Sequence, residues 1–126
     1  VARLLIVEDE RDIRDLIVQQ LRDGGHDAVA VGSAAAAFAA VCRHGPPDAA
    51  VLDVGLPDMD GIELLGRLRD LRPGLPAVIA TVLWSGEAIA RIHESGGHHL
   101  AKPFNRDDLY AALRRVLPAP DGERAA

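Results

Sequence analysis

The 126-residue chain is the size of one domain; its 48% apolar content suffices for one core, which 3% aromatic residues make aliphatic. Fourteen basic against 19 acidic residues leave a net charge of −5, which argues against nucleic acid as a direct partner. The single cysteine, Cys42, excludes an intramolecular disulfide and a Cys-based zinc cage, and is expected to be a small packing residue.

The longest uncharged stretch, Ala28 to Cys42, is broken by Gly32-Ser33 and is too short to span ~30 Å of hydrocarbon. No signal-peptide pattern precedes Glu8, so a cytoplasmic protein with no membrane partner is expected. Leu4-Leu5-Ile6-Val7 is a wholly apolar run, as a strand covered on both faces requires, and it stops at Glu8-Asp9-Glu10. Ile13, Leu16, Ile17 and Leu21 then recur at helical spacing until Gly24-Gly25. Ala28 to Val31 is a weaker second strand. Ser33 caps a helix from Ala34 to about Arg43, which Gly45-Pro46-Pro47 breaks.

Ala49 to Leu52 leads into Asp53 as a third buried strand, followed by a loop rich in Gly, Pro and Asp from Val54 to Gly61. Asp60 and Glu63 have the spacing of a capping box, and Leu64, Leu65, Leu68 and Leu71 form the next stripe, closed by Pro73-Gly74. Strand four runs from Ala77 to about Val82. A short helix from about Gly86 to Ser95 ends at Gly96-Gly97, and His99 to Ala101 is strand five. Asn105 caps a last helix carrying Leu109, Leu113, Val116 and Leu117. Five β-then-α repeats with short connections predict an α/β fold, a parallel sheet with helices on both faces. Residues 1–117 form the expected domain, and 118–126 read as a linker-like tail.

Ligands of such sheets bind beyond the carboxyl ends of the strands. There the chain places Glu8-Asp9, Asp53, Thr81 and Lys102, each from a separate segment. Acids brought that close repel, and a hard divalent cation such as Mg²⁺, which prefers oxygen ligands, relieves the repulsion. The remaining parts suit phosphoryl transfer: Asp53 as carboxylate nucleophile, with Lys102 and Thr81 meeting the phosphoryl oxygens. Neither G-x-G-x-x-G nor G-x-x-x-x-G-K-[ST] occurs, so the phosphate is expected to arrive on a partner or small donor.

In Leu4 to Glu10 (L-L-I-V-E-D-E), Val51 to Gly61 (V-L-D-V-G-L-P-D-M-D-G), Pro76 to Thr81 (P-A-V-I-A-T) and Lys102-Pro103-Phe104, the chain resembles the receiver domains of two-component response regulators. The resemblance implies a doubly wound, flavodoxin-like, five-stranded parallel sheet of order 2-1-3-4-5. It also implies phosphoryl transfer from a sensor histidine kinase, or a phosphotransfer protein, to Asp53. By the same carry-over Glu8, Asp9, Asp53 and the Gly55 carbonyl surround Mg²⁺. Thr81 and Lys102 contact the phosphoryl group, the Lys102-Pro103 bond is cis, and a downstream protein effector reads the result. Homodimerisation through the face after strand four is left open.

Departures from the family pattern bear on the same sites. Gly55 supplies no side chain over the acceptor, and Val82 stands where a very small residue is usual. His99 occupies the place of the aromatic switch residue, with Trp84 as an alternative ring. If the register slips, Ser85 rivals Thr81 as the hydroxyl. These features leave a second reading, a degenerate receiver that binds partners independently of phosphorylation. A small hydrolase is a third, disfavoured because no second lobe encloses a substrate. The adjacent pair His98-His99 points to opposite faces of a strand and is not expected to ligate one ion. His26, His44 and His93 are expected at helix ends or on exposed faces.

Overall fold

The computed structural model describes residues 2–82 and 85–117. Strands and helices alternate as β1 (Arg3–Val7), α1 (Arg11–Asp23), β2 (Asp27–Val31), α2 (Ala34–His44), β3 (Ala49–Asp53), α3 (Gly61–Leu71), β4 (Ala77–Thr81), α4 (Gly86–Glu94), β5 (His98–Ala101) and α5 (Arg106–Val116). The sheet is parallel throughout, in the order β2-β1-β3-β4-β5. This is the doubly wound arrangement expected, with chain order reversing between β1 and β3.

Alternation along each strand divides the core into two layers. Leu5 and Val7 of β1, Ala50 and Leu52 of β3, and Ala77 and Ile79 of β4 pack with α2, α3 and α4 through Ala34, Ala37, Leu64, Leu65, Leu68 and Ile92. Leu4, Ile6, Ala49, Val51 and Val78 pack on the other face with α1 and α5 through Ile17, Leu21, Leu109 and Leu113. The two aromatics that touch these layers, Phe38 and Phe104, are only partly buried. At ~25 cal/mol per Å² of apolar area, it is this aliphatic burial that holds the layers together.

Three of the expected caps form, one with a different partner. Ser33 accepts from the Ala36 N–H at 3.2 Å, and Asn105 and Asp108 cap α5 reciprocally. Asp60 caps α3 through the Ile62 N–H at 2.7 Å, but Glu63 does not complete a box. Glu63 pairs instead with Arg67 on the exposed face at 3.4 Å. Gly45 closes α2 at φ +82°, a conformation side chains disfavour.

Several burial expectations are corrected. Cys42 is exposed, because α2 buries Ala34, Ala37 and Val41 and the next position turns outward. Leu16 and Leu71, assigned to apolar stripes, are about half exposed at 51% and 50%. Strand four ends at Thr81 rather than Val82, and strand five begins at His98. The expected linker-like tail at 118–126 and the alternative ring of Trp84 lie outside the described residues.

Candidate functional site

Each side chain expected at the site is delivered by the end of a strand. Glu8 follows the last residue of β1, and Asp53 is the last of β3. Val7 pairs with Leu52, so the acids leave adjacent strands side by side. Thr81 closes β4 opposite Ala101, and its carbonyl accepts from the Lys102 N–H at 3.0 Å. One ligand oxygen from each of Glu8, Asp9 and Asp53 lies within 4.8 Å of the others. Thus the structure brings together residues distant in sequence, as the site expectation requires.

Lys102 spans two of these acids. Its Nζ donates to both Oε1 and Oε2 of Glu8 at 3.0 Å and lies 3.4 Å from Oδ1 of Asp53. Glu8 is only 2% exposed, and burial pushes its carboxyl up to about 7. The Lys102 hydrogen bond opposes that rise, while the charge of Asp53 adds to it. Burial alone lowers Lys102, but the hydrogen bond to Glu8 and the charges of both acids outweigh it and leave the ammonium raised. A buried acid held this far toward neutrality, beside two more acid oxygens, suits a hard divalent cation, which favours the ionised form.

Thr81 is 2% exposed, as a residue inside the rim should be. Ser85, the rival hydroxyl, accepts from the Ala88 N–H at 3.1 Å and caps α4 instead. Gly55 is exposed; its N–H donates to Asp53 Oδ1 at 3.3 Å, and a Cβ built there meets nothing within 4 Å. Val82 is turned outward, 61% exposed. His99 is half-buried in β5 opposite Ile79, three residues before Lys102. His98 is likewise half-buried, and burial, then Arg115, His99 and His93, holds its imidazole below the usual range. The only group of three or more potential metal ligands among the described residues is Glu8, Asp9 and Asp53, so the histidines form no such group. Lys102-Pro103 is cis, as the resemblance implied.

Sequence reasoning missed the fastenings of the loop between β3 and α3. Asp58 accepts from the Ala34 and Ala35 N–H groups at 2.9 and 3.0 Å, fixing the loop to the start of α2. Those two backbone bonds hold its carboxyl below the usual range. Asp60 reaches Arg91 of α4 at 3.3 Å. Gly61 admits the backbone of Asp53, since a Cβ there would lie 2.1 Å from the Asp53 carbonyl oxygen. The D-M-D-G run carried a signal for a tight turn, but not for these partners.

The sequence model of the response regulator receiver domain matches residues 4–114. The transcriptional regulatory protein TcrA of Mycobacterium tuberculosis is 40% identical over 115 residues, covering 90% of this chain and 45% of TcrA. Chemotaxis response regulator CheY4 of Vibrio cholerae is similar in structure, with a TM-score of 0.84 at 28% identity, over 93% of this chain and 99% of that one. A CheY-like receiver domain from Methanospirillum hungatei gives 0.82 at 30%, over 91% and 92%. The chain spans about half the length of the first curated relatives it matches. No described helix is long and apolar enough to cross a membrane.

Proposed function

The chain belongs to the response regulator receiver domain family, and from that premise we propose that it is a phosphoacceptor switch whose acceptor is Asp53. The observation that carries this reading is the convergence of Glu8, Asp9 and Asp53 within 4.8 Å. Mg²⁺ would be held by those acids and the Gly55 carbonyl, supplying positive charge against the phosphoryl oxygens.

The chain's own residues do the rest. An Asp53 carboxylate oxygen attacks phosphorus of a phosphohistidine on a sensor kinase or phosphotransfer protein. The P–N bond breaks, and its electron pair leaves with the imidazole, which takes a proton from water. The product is an acyl phosphate on Asp53. Lys102, already 3.4 Å from Asp53, moves its hydrogen bonds from Glu8 toward the phosphoryl oxygens. Thr81, at the end of β4, donates its hydroxyl to the same group and, with His99, couples the modification to β4 and β5. The added charge of about −2 favours whichever arrangement of that face offers it more donors, and so changes affinity for a downstream protein effector. Water reaches the phosphoryl group readily over Gly55, so the domain assists its own dephosphorylation. It is a regulatory module, working in the cytoplasm, rather than a metabolic enzyme.

Incubation with Mg²⁺ and acetyl phosphate tests this by intact-protein mass. A phosphate-sized gain that Asp53→Asn loses is expected. No gain, with no response to beryllofluoride, contradicts it and favours the phosphorylation-independent interaction module.

A further inference from the structure

One cation reaches the rim from α1. The β1–β2 ladder ends at the pair Val7 and Val31. Past it, the Glu8 N–H still donates to the Val31 carbonyl at 3.0 Å. The Glu8 carbonyl accepts from Arg14 instead, whose Nη1 donates to it at 3.0 Å. Gly32 provides the space: a Cβ there would come within 2.8 Å of Arg14 Nη1, tighter than real side chains allow. Glu8 is therefore held at its N–H by β2 and at its C=O by α1. The peptide so fixed joins Glu8 to Asp9, and both side chains belong to the acidic cluster.

We propose that Arg14 is a positioning residue: it clamps the Glu8–Asp9 peptide so that both carboxylates face one divalent cation, in space that Gly32 leaves open. The inference rests on the metal reading above. It has a sign that charge alone does not share. A guanidinium beside a cation site repels the cation, so a purely electrostatic role makes removal of Arg14 tighten binding. A clamp makes removal weaken it, as loss of groups that orient metal ligands does by ~10–100-fold.

The test is a Mn²⁺ titration followed by electron paramagnetic resonance, Mn²⁺ standing in for Mg²⁺, on the wild type, Arg14→Ala, Gly32→Ala and the double variant. Gly32→Ala displaces only the far end of a flexible side chain, so the fold survives it; urea unfolding of each variant checks that point. Arg14→Ala is expected to weaken Mn²⁺ by ~10-fold or more. Gly32→Ala shifts affinity in the same direction, and adds nothing in the Arg14→Ala background. Unchanged or tighter binding by Arg14→Ala overturns the clamp, as does a Gly32 effect that persists in full without Arg14. A wild type that binds no Mn²⁺ overturns the metal reading itself, a result distinct from either.

Discussion

Replacing Gly61 with alanine probes how closely the backbone of Asp53, the proposed acceptor, is packed. Gly61 opens α3, and its N–H donates to the Val54 carbonyl at 2.9 Å. A Cβ there would lie 2.1 Å from the Asp53 carbonyl oxygen, 2.8 Å from its carbon and 3.1 Å from Val54 Cα. All three are backbone atoms, which cannot rotate aside as a side-chain tip can. Reaching even 3.0 Å from the oxygen requires a displacement of about 0.9 Å. Overpacking of this kind costs ~1–3 kcal/mol. An approach this far below 3.0 Å, to backbone, belongs at the upper end of that range, and alanine's better helix propensity returns up to ~1 kcal/mol, leaving a net loss of about 2 kcal/mol. Gly66, within the same helix, is the control, because a Cβ there meets nothing within 4 Å. Gly66→Ala should stabilise by ~0.5–1 kcal/mol. Urea unfolding followed by circular dichroism reads both. Acetyl phosphate labelling should slow in Gly61→Ala alone, since the displaced carbonyl belongs to Asp53, the proposed acceptor. A Gly61→Ala protein as stable as the wild type refutes the close approach.

Removing divalent metal should give stability a pH dependence. Glu8 is raised to about 7 from 4.5, so between those values the folded state keeps a proton that the unfolded state has released. Stability in EDTA therefore falls as pH rises from 4.5 to about 7, by at most about 3 kcal/mol, and levels off above. Saturating Mg²⁺, by holding Glu8 ionised, should flatten that slope; identical urea midpoints across the range with and without metal contradict a shared site. Asp58→Ala should destabilise through loss of the second cap on α2, with Ser33 remaining. Because the Asp58 carboxyl is lowered from 3.8 in the fold, its contribution is present above that pH and lost as pH falls through the lowered value. Wild type and Asp58→Ala should thus differ in thermal midpoint near neutrality and converge in strong acid.

The strands were legible because β1, β3 and β4 are buried on both faces, and such strands read as unbroken apolar runs. The ends of β1 and β3 were legible for the same reason, since an acid stops each run at Glu8 and Asp53, whereas Val82 prolongs the apolar run past Thr81 and hid the end of β4. Sheet order came from the family resemblance, since periodicity says nothing of which strands are neighbours. Helical stripes misplaced Leu16 and Leu71, because an apolar residue at the margin of a stripe is covered only if another element reaches it. The cap at Asp60 was legible, but its second oxygen turns to Arg91 across 31 positions rather than to the backbone partner of a box. Asp58 on α2 and Arg14 on the Glu8 carbonyl are similar: each joins an ordinary surface residue type to a backbone group that becomes a neighbour only on folding. Gly32 read only as a break in an uncharged stretch and Gly61 as the end of a loop, whereas each is also a space that another group fills.

The acceptor itself is tested most directly by trapping. After exposure to acetyl phosphate and Mg²⁺, borohydride reduction converts an aspartyl phosphate to homoserine, and peptide mass spectrometry locates it. The product is expected at position 53, dependent on Mg²⁺. Homoserine at another carboxylate, or none at 53 in a fully folded protein, contradicts the assignment of Asp53.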